Sequence, residues 1–341
     1  MTNVAEKFAR KRLTGNLRMF VWLVSLQLVS LVGSVVADDN CVEANELVQR
    51  AVQSAEGGRA ELEVYDQALA KCPNMPEAHY NRGIVLLKLE QVAAAGEAFS
   101  SALSLRDDIQ FRIALGNVRY REGRFAEAES EYRTVLKASQ RNVEALNGLG
   151  LVLARTEQRD EAIGALERAQ RISPLHPVTA YNLAVLYQGK GDNQEAIRQY
   201  KIAIEQGSHF EANLQLGMLM LHLARLDESE QYLSNAATLR SDDANVLRTM
   251  ARLYDRMRDY DKAEQALRRA LAIEEADSES WLNLGVVLIN KRQEGVAEQA
   301  LSKAIKLDPK NAQALTALGW AQIELGKYAE AEDSLKQALA L

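Results

Sequence analysis

Apolar residues recur three and four apart along most of the chain, the spacing of a helix with one buried face. Two such runs alternate with short polar turns, such as "EGR" at 122–124, "KGD" at 190–192 and "LGK" at 325–327. Each pair of runs carries three small residues, twelve and then seven apart. Gly83/Ala95/Ala102, Gly116/Ala128/Val135, Gly150/Ala162/Ala169 and Ala184/Ala196/Ala203 follow one another in this way. Gly217/Ser229/Ala236, Ala251/Ala263/Ala270, Gly285/Ala297/Ala304 and Gly319/Ala331/Ala338 continue it. The period is 34 residues, or 33 where a turn is one residue shorter. The predicted unit is helix, tight turn, helix, with small residues where two helices cross too closely for a larger side chain. No strand is expected.

All five prolines fall between units: Pro73, Pro174 and Pro309 close one, and Pro76 and Pro177 open one. Proline suits a first helical position because the N–H it lacks would be unpaired there. Trp281 begins "WLNLGVVL", and "AYNLAVLY" ends on Tyr187. Ala95–Phe99, Ala128–Tyr132 and Ala196–Tyr200 add a second recurring element. The chain thereby resembles the tetratricopeptide-repeat (TPR) family, whose pattern is W-x2-L-G-x2-Y, A-x3-F and a late Pro at period 34, with Leu288 here in place of one Tyr. Eight clear units run from Pro76 to Leu341, and a degenerate ninth covers about Val42–Asn74, with Gln49 and Glu61 where small residues belong. The resemblance implies an all-α, right-handed superhelical solenoid of about nine helix-turn-helix units, each contacting mainly its neighbours.

The first forty residues break the pattern. Lys7, Arg10, Lys11, Arg12 and Arg18 precede the uncharged run "MFVWLVSLQLVSLVGSVV" at 19–36, and "VVA" leads into Asp38 and Asp39. Basic flank, apolar run and small residues before an acidic start describe a secretory signal cut after Ala37. The run is nearly long enough to span a bilayer, so a retained anchor through 19–36 is the alternative. In both cases the repeats are exported, to a bacterial periplasm or, alternatively, an endoplasmic-reticulum lumen. The expected organisation is 1–37 as signal or anchor, 38–75 as the degenerate first unit and 76–341 as the eight-unit solenoid.

Export changes the reading of the two cysteines. Cys41 and Cys72 flank the two helices of the degenerate unit, whose antiparallel pairing would bring them together, and an exported pair favours a disulfide over free thiols. No histidine accompanies them, so no metal site is expected, and no cofactor either. The net charge is −6, with +4 on residues 1–37 and −10 on the rest, which argues against general nucleic-acid binding. The four histidines never cluster with acids at metal-ligand spacing, and no enzyme activity is expected.

The resemblance also implies a docking face on the first helix of each unit, at its positions 2, 5, 9, 12 and 13. The residues so assigned are Tyr80, Ile84, Tyr120, Tyr181, Val185, Leu214, Met218, Val286 and Trp320, with an i, i+4, i+8 stripe of Arg248, Arg252 and Arg256. Glu77, Glu144, Glu211 and Glu279 mark one edge; Lys88, Arg121, Arg155, His222 and Arg256 mark the other. The stripe reads either as a seat for a carboxylate or as internal salt bridges. The family's carboxylate clamp is not matched, since Ile113 and Gly148 stand where a lysine and an asparagine belong. The functional expectation is an exported scaffold binding protein partners through an apolar groove, in assembly of a cell-envelope complex. A holdase-like chaperone and an accessory subunit of an exported or membrane enzyme are the alternatives. Leu335, Leu339 and Leu341 on the last unit suggest a self-association edge.

Overall fold

The computed structural model describes residues 39–54, 58–207 and 209–341, and among them every regular element is an α-helix. The expected signal or anchor lies outside the described residues. No helix of the described residues is long and apolar enough to cross a membrane.

The helices fall into two compact units, divided between Gly191 and Asp192. The first holds α1 (Asp39–Ser54), α2 (Arg59–Lys71), α3 (Pro76–Lys88), α4 (Val92–Leu105), α5 (Ile109–Arg121), α6 (Phe125–Ala138), α7 (Val143–Arg155), α8 (Arg159–Ile172) and α9 (Pro177–Lys190). The second holds α10 (Asn193–Glu205), α11 (Phe210–His222), α12 (Leu226–Leu239), α13 (Ala244–Arg256), α14 (Tyr260–Ile273), α15 (Ser278–Asn290), α16 (Glu294–Leu307), α17 (Ala312–Glu324) and α18 (Tyr328–Leu339). Within each unit consecutive helices pack on one another, and first helices of successive pairs lie side by side: α5 with α7 and α7 with α9, then α11 with α13 and α15 with α17.

Polar acceptors start the first helices. Asp108, Asn142, Asp243, Asp277 and Asn311 each accept a backbone N–H of the first turn with the side chain. His176 and His209 do the same with a ring nitrogen. These caps satisfy donors that the first turn cannot pair internally. The turns between paired helices repeat one backbone device. Glu90, Glu157, Ala224, Arg258 and Arg292 have φ between 58° and 65°, and Gly123, Gly191 and Gly326 hold the equivalent place at 74° to 88°. One left-handed residue marks every one of these turns.

The small residues work as a lock for one large side chain. A Cβ on Gly83 would fall 2.5 Å from the Phe99 ring, and one on Gly285 2.4 Å from Leu301. Gly150 with Leu166 and Gly217 with Leu233 repeat the arrangement at 2.6 and 2.7 Å. The bulky residue sits four positions after the buried small residue of the second helix, as in Ala95–Phe99. Ser229, the one hydroxyl among the second small positions, donates to the Gly217 carbonyl at 2.8 Å, a direct measure of how near the helices come. Tyr132 is wedged against both Gly116 and Gly148, and its hydroxyl donates to Asn117 Oδ1 at 2.6 Å.

Cys41 and Cys72 are joined as a disulfide. Cys41 lies inside the first turn of α1 rather than before it, as the sequence had suggested. The α1–α2 pair packs on α3 through Tyr65, Ala68, Met75, Ala78 and Val85. Glu61 stands where other pairs have alanine or serine, and it is buried with only the Tyr65 hydroxyl near one oxygen, at 3.4 Å.

Candidate functional site

The side-by-side first helices expose one face in each unit, and burial separates what packs from what is available. In the first unit Tyr80, Ile84, Tyr120 and Tyr181 are buried, as is Leu214 in the second. This corrects the expected groove floor. Tyr80 stacks on Phe111 of the next first helix at 4.9 Å and meets Phe99 at 5.5 Å, so it fills the joint between pairs. Burial pushes the Tyr80 and Tyr120 hydroxyls up to about 12. Val185 and Met218 are half-buried.

Exposed apolar surface is found instead toward the last pairs of the second unit. Val286 is 36% exposed, Trp320 59% and Ile323 37%. Val286 and Trp320 occupy equivalent places on α15 and α17, a repeat apart, and Ile323 lies one helical turn beyond Trp320. Of the C-terminal leucines, Leu335 is half-buried, lying across Gly319, while Leu339 and Leu341 are exposed.

The arginine stripe divides by partner. Arg248 reaches Glu274 at 2.6 Å and Asp277 at 3.1 Å and also donates to Asn245, so it ties α13 to the segment before α15. Arg256 donates to the Leu221 carbonyl at 2.5 Å, near the end of α11, where the same carbonyl also accepts the Ala224 N–H at 3.1 Å. Both are therefore used internally, which for these two residues favours the internal reading of the stripe over the carboxylate seat. Arg252 is exposed, and no ion pair to it is seen among the described residues. Half-burial raises the Asp255 carboxyl above its usual range.

Two carboxylates of the acidic edge are paired, while Glu144 on that edge has no ion pair among the described residues. Arg106 pairs with Glu77 in the first unit, and Arg240 with Glu211 at 3.2 Å in the second. Each arginine also covers a phenylalanine ring, Arg106 over Phe111 at 5.0 Å and Arg240 over Phe210 at 3.9 Å. The opposite edge of the first unit carries Lys88, Arg121 and Arg155, the last residues of α3, α5 and α7. None of these three has an ion pair among the described residues. Arg155 lies over the Phe125 ring at 5.5 Å, and Phe125 meets Tyr120 edge-on at 5.7 Å. Burial holds the Arg121 guanidinium below the usual arginine range, a shift that the nearby Glu90 carboxylate partly offsets.

Stacked helix pairs with a residue-sized lock at the glycine crossings define a helical-repeat protein. The tetratricopeptide-repeat family matches residues 44–108, 113–177 and 248–312, with further matches at 208–276 and 300–333, and the chain belongs to that family. Among solved structures it is similar to YrrB, a TPR protein with an unusual peptide-binding site, at 18% identity and a TM-score of 0.51, covering 55% of this chain and 96% of that one. A tetratricopeptide repeat protein from Parabacteroides merdae matches at 17% identity and a TM-score of 0.51, covering 68% of this chain and 92% of the other. Among curated proteins, the human protein O-mannosyl-transferase TMTC3 is 23% identical over 192 residues, 54% of this chain. The match spans only 21% of that protein's length.

Proposed function

We propose that the protein is an exported, non-enzymatic scaffold that docks partner proteins on its first-helix faces during assembly of a cell-envelope complex. The observation that carries this reading is the in-register exposure of Val286 and Trp320 with Ile323 on α15 and α17. A helical face that leaves a tryptophan more than half exposed beside two aliphatic side chains offers the aromatic anchor typical of protein interfaces. Export is supported by the basic and apolar leader and by the Cys41–Cys72 disulfide, a bond that persists in oxidising compartments. The test replaces Trp320 by a photo-crosslinking amino acid in the native cell. One stoichiometric adduct in the exported fraction is the expected result. A smear of many client chains would replace the scaffold by a holdase, and adducts only in the cytoplasm would overturn the compartment.

A further inference from the structure

In the first unit His176 does more than cap α9. The Thr179 N–H donates to its Nδ1 at 3.3 Å, so that nitrogen carries no proton. The Thr179 hydroxyl, 2.9 Å from the same nitrogen, then donates to it as well. Thr179 is fully buried, and its oxygen accepts Asn147 Nδ2 from α7 at 2.9 Å. Asn147 Nδ2 also donates to the Val143 carbonyl at 3.0 Å, which fixes its direction. Hydrogen bonds thus run one way, from α7 through Thr179 into a neutral ring. A proton on Nδ1 removes the acceptor at the end of that chain and leaves the buried hydroxyl without one, which is unfavourable. Half-buried Glu144 on α7 offers the protonated ring another place, because it has no ion pair among the described residues. Burial holds the ring below its usual range, and Glu144 is the charge that draws it back up. The other charged groups of the packed elements are engaged or turned to solvent. On α8, Glu167 takes Arg171 at 3.9 Å and the Tyr187 hydroxyl at 2.8 Å, and Asp160 takes Lys190 from the far end of α9 at 2.9 Å. Arg155, at the far end of α7, lies over Phe125, and Arg141 and Arg168 are exposed. The second unit holds the contrasting case. His209 caps α11 in the same way, but Ala212 stands where Thr179 does, and the nearby Glu211 is already paired with Arg240.

We infer that His176 is a two-position, pH-sensitive switch at the joint between α7 and α9. Neutral, it caps α9 and closes the Asn147–Thr179 chain; protonated, it leaves Thr179 and turns to the Glu144 carboxylate. The proton comes from solvent and is taken at Nδ1, so no other bond is made or broken covalently. Because the docked ring favours its neutral form, the switch moves below the ordinary histidine value of about 6.5. As it moves, the first turn of α9 loses its cap, the tie from α7 to α9 loosens, and the charge of Glu144 on the acidic edge is cancelled. The switch is independent of the docking reading and holds whether or not a partner uses that edge.

Full-length protein carrying nitrogen-15-labelled histidine tests this by long-range proton–nitrogen spectra, with His176→Asn identifying the signal among the four histidines. At about pH 8 the His176 ring should carry its proton on Nε2 and none on Nδ1. On acidification, protection of the Thr179 amide against hydrogen exchange should fall with the same midpoint as the ring. Glu144→Gln should lower that midpoint by about 0.5 pH unit or more, because it removes the charge that favours the protonated ring. Thr179→Val should raise it, because it removes a donor that favours the neutral ring, and Thr179→Ser should restore it. A general loss of packing would not move the midpoint in opposite directions at two neighbouring sites. If Thr179→Val fails to fold, Glu144→Gln carries the test by itself, since that side chain is only half-buried. A proton on Nδ1 at neutral pH, Thr179 protection that ignores the ring's titration, or a midpoint indifferent to Glu144→Gln would each overturn the inference.

Discussion

At Gly285 a hydrogen in place of a side chain is what lets Leu301 lie across α15. A methyl there would sit 2.4 Å from Leu301 Cγ, inside any tolerable contact. Gly285→Ala should therefore lower stability by about 1–3 kcal/mol through overpacking, measured by urea unfolding. In the Leu301→Ala background the same change should cost far less, and equal costs in both backgrounds would refute the lock. The two capping histidines carry a second residue-scale consequence. His176 and His209 accept backbone N–H groups of Thr179 and Ala212 through Nδ1, at 3.3 and 3.2 Å, so each ring must be neutral there. Burial holds both below the ordinary 6.5; for His209 the Glu211 carboxylate pulls upward and Arg240 downward, and for His176 Glu144 pulls upward. The unfolded chain then binds more protons than the folded one below about pH 6.5, so stability is full above that value and falls as pH drops through it. Stability measured from pH 7.5 to 5.5 should decline, and His209→Asn, which keeps a capping acceptor that does not titrate, should flatten part of the decline. A slope unchanged by that substitution would show that His209 contributes none of it.

Between paired helices, a single left-handed residue marks the turn, and five of these positions are not glycine. Ala224 is exposed at φ 58°, where a Cβ is disfavoured. Ala224→Gly should stabilise by about 0.5–1 kcal/mol, the relief of strain exceeding the added freedom of the unfolded chain. A fall in the urea midpoint would show that the entropy term wins. The existence and pairing of these helices were legible in the sequence, because a 34-residue period and apolar spacing are local signals. The left-handed turn was legible only at Gly123, Gly191 and Gly326, since Glu157 and Arg258 give no hint of positive φ. The docking face was legible in position and not in depth. Repeat position says which side of α3 Tyr80 occupies, whereas its burial depends on Phe111 in the next pair. Charge pairing was hidden for the same reason: Arg248 meets Glu274 and Asp277, residues brought near by the packing of one pair on the next. Arg248→Ala should accordingly lower stability, and Arg252→Ala should not.

For the molecule as a whole, nearest-neighbour packing means that a local tie stabilises a local segment. The α1–α2 pair meets α3 through a modest apolar cluster and buries Glu61 where other pairs bury alanine or serine. Its disulfide closes a loop of 31 residues, worth about 3–4 kcal/mol in the chain-entropy account. Reduction should therefore speed amide exchange in α1 and α2 and leave the pairs from α5 onward protected. Uniform loosening would instead mean that the unit unfolds as one body. The same bond reports the compartment in which the chain matures. Full-length protein taken from its native cells under acid quench should resist thiol alkylation until reduced, because an oxidising compartment forms and keeps the bond. A version lacking residues 1–37, held in a reducing cytosol, should alkylate at both Cys41 and Cys72 and should show the fast exchange of the reduced pair. Immediate alkylation of both cysteines in the native, full-length protein would remove the support that the bond gives to export, and the basic flank and apolar run of residues 1–37 would then need another explanation.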